Sequence, residues 1–152
     1  MTFYTDGSVM IKKSHYGYGV WCEELGVKIS KIVSPTTHNV CELLAIIHAL
    51  KIILSHCNKN KNKIYKIYSD SVYAIKSLTV WCKKWKANGW KNSKKQPVKN
   101  IKIIKYGVGV LKKIKLTSDV QVHIHHIAAH TNLTTPHHLG NAVADKLAKC
   151  GN

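Results

Sequence analysis

Residues 64–71 read Ile64-Tyr65-Lys66-Ile67-Tyr68-Ser69-Asp70-Ser71. Apolar and polar positions alternate, the period of a half-buried strand, and the run stops on a carboxylate between two serines, where a short helix is expected to begin. Upstream, Asn39 is placed as the N-cap of a long helix whose apolar face is Leu43, Leu44, Ile46, Ile47, Leu50 and Leu54. Residues 58–63 form a polar, basic turn between that helix and the strand. Further upstream, residues 2–5 read as a first strand ending at Asp6-Gly7-Ser8. Residues 17–24 and 27–34 follow as two more, turning near Leu25-Gly26, a meander that fits antiparallel pairing. Downstream, a helix is expected over 80–87. Pro97 is placed to start another through about Lys113, residues 120–125 alternate as a fifth strand, and 140–150 form a last helix. Strands first in a meander and then separated by helices predict an α/β protein, a mixed sheet with helices packed on it. No repeat or long linker divides the 152 residues, so one domain is expected.

Composition narrows the function. Hydrophobic residues are 45% of the chain, enough for a core and incompatible with a disordered tail. The 24 basic residues are all lysines, set against 7 acids, for a formal charge of +17. Such a surface favours a polyanion, with nucleic acid ahead of an anionic membrane. No apolar run is read as approaching the roughly 20 residues that span a bilayer. The start Met1-Thr2-Phe3-Tyr4 lacks the pattern of a signal peptide. A soluble, intracellular protein is expected, in the cytoplasm, nucleoid or nucleus. The 5 cysteines are odd in number and form no C-x-x-C pair, which argues for reduced, mostly buried thiols.

The 7 carboxylates are Asp6, Glu23, Glu24, Glu42, Asp70, Asp119 and Asp145. Asp6 and Asp70 each end a strand. Glu42 lies in the first turn of the long helix, on its apolar side, and Asp145 sits among the small apolar residues of the last helix. If the first and fourth strands are neighbours, two acids meet at one end of the sheet, and two helices can add the others. Clustered carboxylates repel unless cations neutralise them, and an all-oxygen set suits Mg²⁺ or Mn²⁺. Two such ions about 3.5–4 Å apart can hold an attacking water and a leaving oxygen in line across a phosphodiester. Taken singly, each acid is more often a local cap or surface charge.

These residues also carry a resemblance. Thr5-Asp6-Gly7-Ser8, Thr37-His38-Asn39-Val40-Cys41-Glu42-Leu43-Leu44-Ala45, Tyr68-Ser69-Asp70-Ser71 with Tyr73, and His130 with Gly140-Asn141 and Asp145-Lys146-Leu147-Ala148 resemble, in this order, the motifs of type 1 ribonucleases H over nearly the whole chain. The resemblance implies a five-stranded mixed sheet, three strands antiparallel plus two parallel. It implies an endonuclease that cuts the RNA strand of an RNA–DNA hybrid with two Mg²⁺ ions (Mn²⁺ able to substitute), leaving 5′-phosphate and 3′-hydroxyl ends. Asp6 would bridge both metals, Glu42 and Asp70 would bind one, and Asp145 the other. His130 would assist proton transfer or product release from a mobile loop. The segment 81–91, within a protrusion at about 80–100, resembles the family's basic protrusion. There Trp81, Lys84, Trp85 and Lys86 would grip the DNA strand, while Trp90 would anchor the protrusion. Thr37, Ser93 and Asn100 match positions that bind DNA phosphate or backbone, and Asn39 one near the RNA 2′-hydroxyls. A monomer without a protein partner is expected.

The pattern departs from the family at three places. Lys12 and Lys13 stand where an Asn-Pro type is usual, Ala128-Ala129-His130 replaces Gly-His, and the loop from Thr131 to Leu139 is longer than in the shortest bacterial relatives. His123, His125, His126, His137 and His138 invite a metal-site reading but lack an evident Cys or carboxylate partner, and are left as structural. Two other functions fit the same fold: a non-catalytic hybrid-binding module, and an integrase-like nuclease.

Overall fold

The computed structural model describes residues 1–60, 63–117 and 119–150. Strands β1 (Thr2–Met10), β2 (His15–Cys22) and β3 (Val27–Ile32) precede helix α1 (His38–Cys57). Strand β4 (Ile64–Ser69) leads into α2 (Val72–Lys76), a wider π-type turn over Ser77–Trp81, and α3 (Cys82–Ala87). Then come α4 (Ile101–Leu116), β5 (Gln121–His126) and α5 (Pro136–Cys150). The sheet order is β3-β2-β1-β4-β5. β1 runs antiparallel to β2 and β2 to β3, whereas β1–β4 and β4–β5 are parallel. This is the expected sheet.

Strand alternation divides the sheet's two faces. Phe3, Val20, Cys22, Tyr65 and Ile67 are fully buried with Leu43, Ile46, Leu50 and Ile53 of α1 and Ile104 and Ile114 of α4. On the other face Tyr4 packs against Gly140 of α5, and Ser30 donates a hydrogen bond to the Leu147 carbonyl. Contrary to the sequence expectation, α1 is long and apolar enough to cross a membrane by length and composition, but most of it is buried here. Burying each of its large aliphatic side chains contributes roughly 1.5–3 kcal/mol, which makes α1 the centre of the core. Cys22, Cys41, Cys57 and Cys82 are free and buried, and Cys150 is free and exposed.

Several boundaries move. Thr37, not Asn39, caps α1: its backbone is extended and its hydroxyl accepts the Val40 N–H at 3.3 Å. Both residue types cap well; capping at Thr37 starts the helix two residues earlier and turns Val40 and Cys41 inward. The helix expected from Pro97 starts at Ile101, because Pro97 bridges to Lys91 and Val98 N–H bonds to the Trp90 carbonyl. Those contacts hold 91–98 as a folded-back loop, and Asn100, at φ 59°, turns the chain into α4. The helix expected over 80–87 is the end of a run that begins at Val72, where Ser71 caps by accepting the Ala74 N–H. α5 begins at Pro136 rather than residue 140, which leaves a shorter loop after His130 than expected. Of the turn expected at 58–63, Lys61 and Asn62 lie outside the described residues.

Candidate active site

The parallel pairing of β1 with β4 ends at Thr5↔Ser69, while β1 stays paired with β2 as far as Met10↔His15. Asp6 therefore does not end its strand, as the sequence suggested; it is the first residue beyond the parallel pairing, and Asp70 is the same on β4. The gap that opens there is the floor of the site. Glu42 arrives from α1, in its second turn rather than its first because the cap is Thr37. A Cβ on Gly7 would lie 2.6 Å from the Glu42 amide nitrogen and 2.8 Å from the Cys41 carbonyl carbon, so only glycine lets α1 come this close to β1. One oxygen each from Asp6, Glu42 and Asp70 lie within 4.8 Å of one another. Asp145, on α5, lines the same cavity of about 400 Å³ with Asp6, Asp70, His38, His130 and Lys149.

The charges in this cavity are unbalanced. Burial, then Glu42 and Asp70, push the Asp6 carboxyl up to about 10. Burial also raises Glu42 against a hydrogen bond from His38 that favours its charged form. Burial raises Asp70, and the nearby His38 and His130 partly oppose this. His38 Nε2 lies 3.1 Å from Glu42 Oε1, and that contact raises the His38 pKa. Among the described residues, Glu42 Oε2 is buried with no hydrogen-bond partner. Lys149 pairs with Asp145 at 2.7 Å, and among the described residues it forms no ion pair with Asp6, Glu42 or the half-buried Asp70. Three mutually repelling carboxylates with an orphaned buried oxygen fit a hard divalent cation, which takes oxygen ligands and removes the repulsion.

The other candidate residues fall in two places. His130, at φ 49°, borders the cavity beside Asp70, with Thr37 and Asn39 exposed at the start of α1. Around α3, the Trp81 ring lies 5.9 Å from Trp85 at a tilt of 55° and 6.1 Å from Tyr73, edge-on, while Lys84 and Lys86 are exposed. Trp85 and Trp90 pack against the core, and Lys105 lies over the Trp90 ring at 5.1 Å. Ser93 is exposed in the folded-back loop, and the Asn100 amide donates to the Tyr73 hydroxyl at 3.0 Å. His123 stacks on His125, and His137 stacks on Tyr68 with its Nδ1 2.9 Å from the Tyr4 hydroxyl; among the described residues none of these belongs to a cluster able to hold a metal. Sequence reasoning missed His38 and Lys149. The available signal was their i,i+4 spacing to Glu42 and Asp145, which places each pair on one helical face.

A five-stranded mixed sheet with carboxylates gathered where its parallel strands part defines the RNase H-like class. The chain belongs to the RNase H family, whose family model matches residues 1–152. It is 38% identical over 100 residues to the ribonuclease H of Ruthia magnifica subsp. Calyptogena magnifica, which covers 64% of this chain and 65% of that relative. It is 32% identical over 150 residues to the ribonuclease H of Legionella pneumophila (strain Corby), covering 97% of this chain and 93% of the relative. Among solved structures, the foamy viral protease-reverse transcriptase in complex with RNA/DNA hybrid matches with a TM-score of 0.74 and 27% identity, over 97% of this chain and 19% of that one. The solution structure of the PFV RNase H domain matches with a TM-score of 0.70 and 28% identity, over 97% and 90%.

Proposed function

We propose that this protein is an endoribonuclease that hydrolyses the RNA strand of RNA–DNA hybrids, leaving 5′-phosphate and 3′-hydroxyl ends. The observation that carries this reading is the convergence of Asp6, Glu42 and Asp70 within 4.8 Å, with one Glu42 oxygen buried and unpartnered. Asp6, Glu42, Asp70 and Asp145 would hold two Mg²⁺ ions, with Mn²⁺ able to substitute. When bound, the metal supplies water activation and charge stabilisation at the reacting phosphate. Asp6 and Glu42 are carried by β1 and α1, and Gly7 lets those two elements approach closely. His38 fixes the Glu42 carboxylate through one oxygen and leaves the other free. His130 stands beside Asp70, where an imidazole can move a proton to or from a group leaving the cavity.

The hybrid would lie across this cavity and the protrusion. Lys84 and Lys86 are exposed to meet DNA phosphates, and the ring of Trp81 is set to pack against deoxyribose. Thr37, Ser93 and Asn100 would add contacts to the DNA backbone. Asn39 would sit near the 2′-hydroxyls that distinguish RNA from DNA. In this reading residues 1–152 act as one catalytic domain, monomeric, intracellular and without a membrane.

The test is incubation of an end-labelled RNA–DNA hybrid with protein and Mg²⁺, beside duplex RNA and duplex DNA. Cutting confined to the RNA strand of the hybrid, lost in EDTA and in Asp70→Asn, is the expected outcome. An intact hybrid despite tight binding would favour a binding module instead, and cutting or joining of DNA would favour an integrase-like nuclease.

A further inference from the structure

Two cavities of about 510 and 440 Å³ lie between α1 and α4, away from the carboxylates, and both are lined by Lys51 and Tyr106. They form one groove. Lys31 and Lys102 line its first part, Lys105 and Lys113 its second, and no carboxylate lines either among the described residues. All five lysines are exposed. From Lys102 to Lys113 the groove follows α4 for about 16 Å. Its floor is apolar, with Leu44 and Ile47, and Tyr106 stands in it with 55% of its surface exposed. Burial first, then the charges of Lys51 and Lys31, lower the pKa of His48, which lines the same wall.

We propose that this groove is a second nucleic-acid site, one that takes a single strand. A concave track of lysines neutralises a flexible phosphate backbone, and an exposed aromatic ring on an apolar floor offers a surface on which bases stack. A rigid duplex has no unstacked base to give Tyr106, whereas a single strand does. An acidic peptide satisfies the lysines but leaves the ring without a role. Lys105 also sits over the Trp90 ring at 5.1 Å, which sets the groove beside the base of the protrusion. The site needs no carboxylate of the cavity, so it stands or falls independently of the cleavage reading.

The test uses the full chain in EDTA, with fluorescein-labelled oligothymidylate and oligouridylate of about 15 nucleotides, within the range of known single-strand site sizes. Anisotropy titrations at several salt concentrations compare the wild type with Lys51→Ala/Lys102→Ala, Tyr106→Ala and Tyr106→Phe, each checked by thermal melting. Loss of two phosphate contacts should lower the slope of log affinity against log salt by about 1.4. Loss of stacking should weaken binding about fivefold or more, with Tyr106→Phe restoring it. Unchanged affinity and slope in folded groove variants would overturn the proposal. So would equal binding of polyglutamate of matched charge, or loss of single-strand binding only when Lys84 and Lys86 are replaced.

Discussion

His38 Nε2 holds Glu42 Oε1 at 3.1 Å while the second oxygen of the same carboxylate is buried without a partner among the described residues. The imidazole is largely exposed, and the carboxylate is 1% exposed. One side chain at the rim thus orients a ligand that burial alone would leave free to rotate or to pick up a proton. Groups that orient a metal ligand from outside commonly change metal affinity 10–100-fold when removed. His38→Ala is therefore expected to raise the half-saturating Mg²⁺ concentration about tenfold, with little change in rate at saturating metal. A Mg²⁺ titration of hybrid cleavage checks this; an unchanged half-saturation point would assign His38 no such role.

The stability of the metal-free protein should depend on pH through the same cluster. The Asp6 carboxyl is raised from 3.8 to about 10, and Glu42 and Asp70 are raised as well. The folded state therefore binds more protons than the unfolded state. Stability is fully present below the unfolded values near 4 and is lost as pH climbs toward about 10. Thermal melts in EDTA should show the midpoint falling from pH 5 to pH 8. Mg²⁺ should recover more stability at pH 8 than at pH 5.

Removing one of the repelling charges should separate stability from activity. Asp70→Asn keeps the shape of the side chain and deletes a charge. In EDTA it is expected to stabilise the fold by about 1 kcal/mol while abolishing turnover and leaving hybrid binding in place. Urea denaturation and a cleavage assay on the same preparation measure both effects. A destabilised variant would show that the carboxylates are not in conflict.

Gly7 and Gly109 make an internal comparison. A Cβ at Gly7 meets the α1 backbone at 2.6 Å, whereas one at Gly109 meets nothing within 4 Å. Gly7→Ala should cost about 1–3 kcal/mol and move Glu42 away from Asp6, lowering activity as well as stability. Gly109→Ala should stabilise α4 by about 0.5–1 kcal/mol. Denaturation midpoints of the two variants should shift in opposite directions.

The two neighbouring tryptophans should differ. Trp85 packs on the core and Trp81 does not belong to that packing. Trp85→Ala is expected to destabilise by about 3 kcal/mol or more. Trp81→Ala should leave the melt nearly unchanged and weaken hybrid binding. Lys84→Ala with Lys86→Ala should lower the salt slope of hybrid binding by about 1.8. Filter binding across salt concentrations, read beside thermal melts, distinguishes the three.

The chain itself determined the order of strands and helices, since periodicity and local turn chemistry act within a few residues. It also exposed the four acids, because only three other carboxylates share a chain of 24 lysines. It did not determine which of two good caps starts α1, that α5 begins at Pro136, or that β1 outruns its parallel partner at Thr5↔Ser69. Those outcomes depend on packing between segments distant in sequence, where the burial of Val40 and Cys41 or the fit of Gly7 against α1 decides between local alternatives of nearly equal energy. The groove of Lys31, Lys51 and Lys102 was invisible for the same reason. Its residues come from β3, α1 and α4, and only the packed fold brings them to one track.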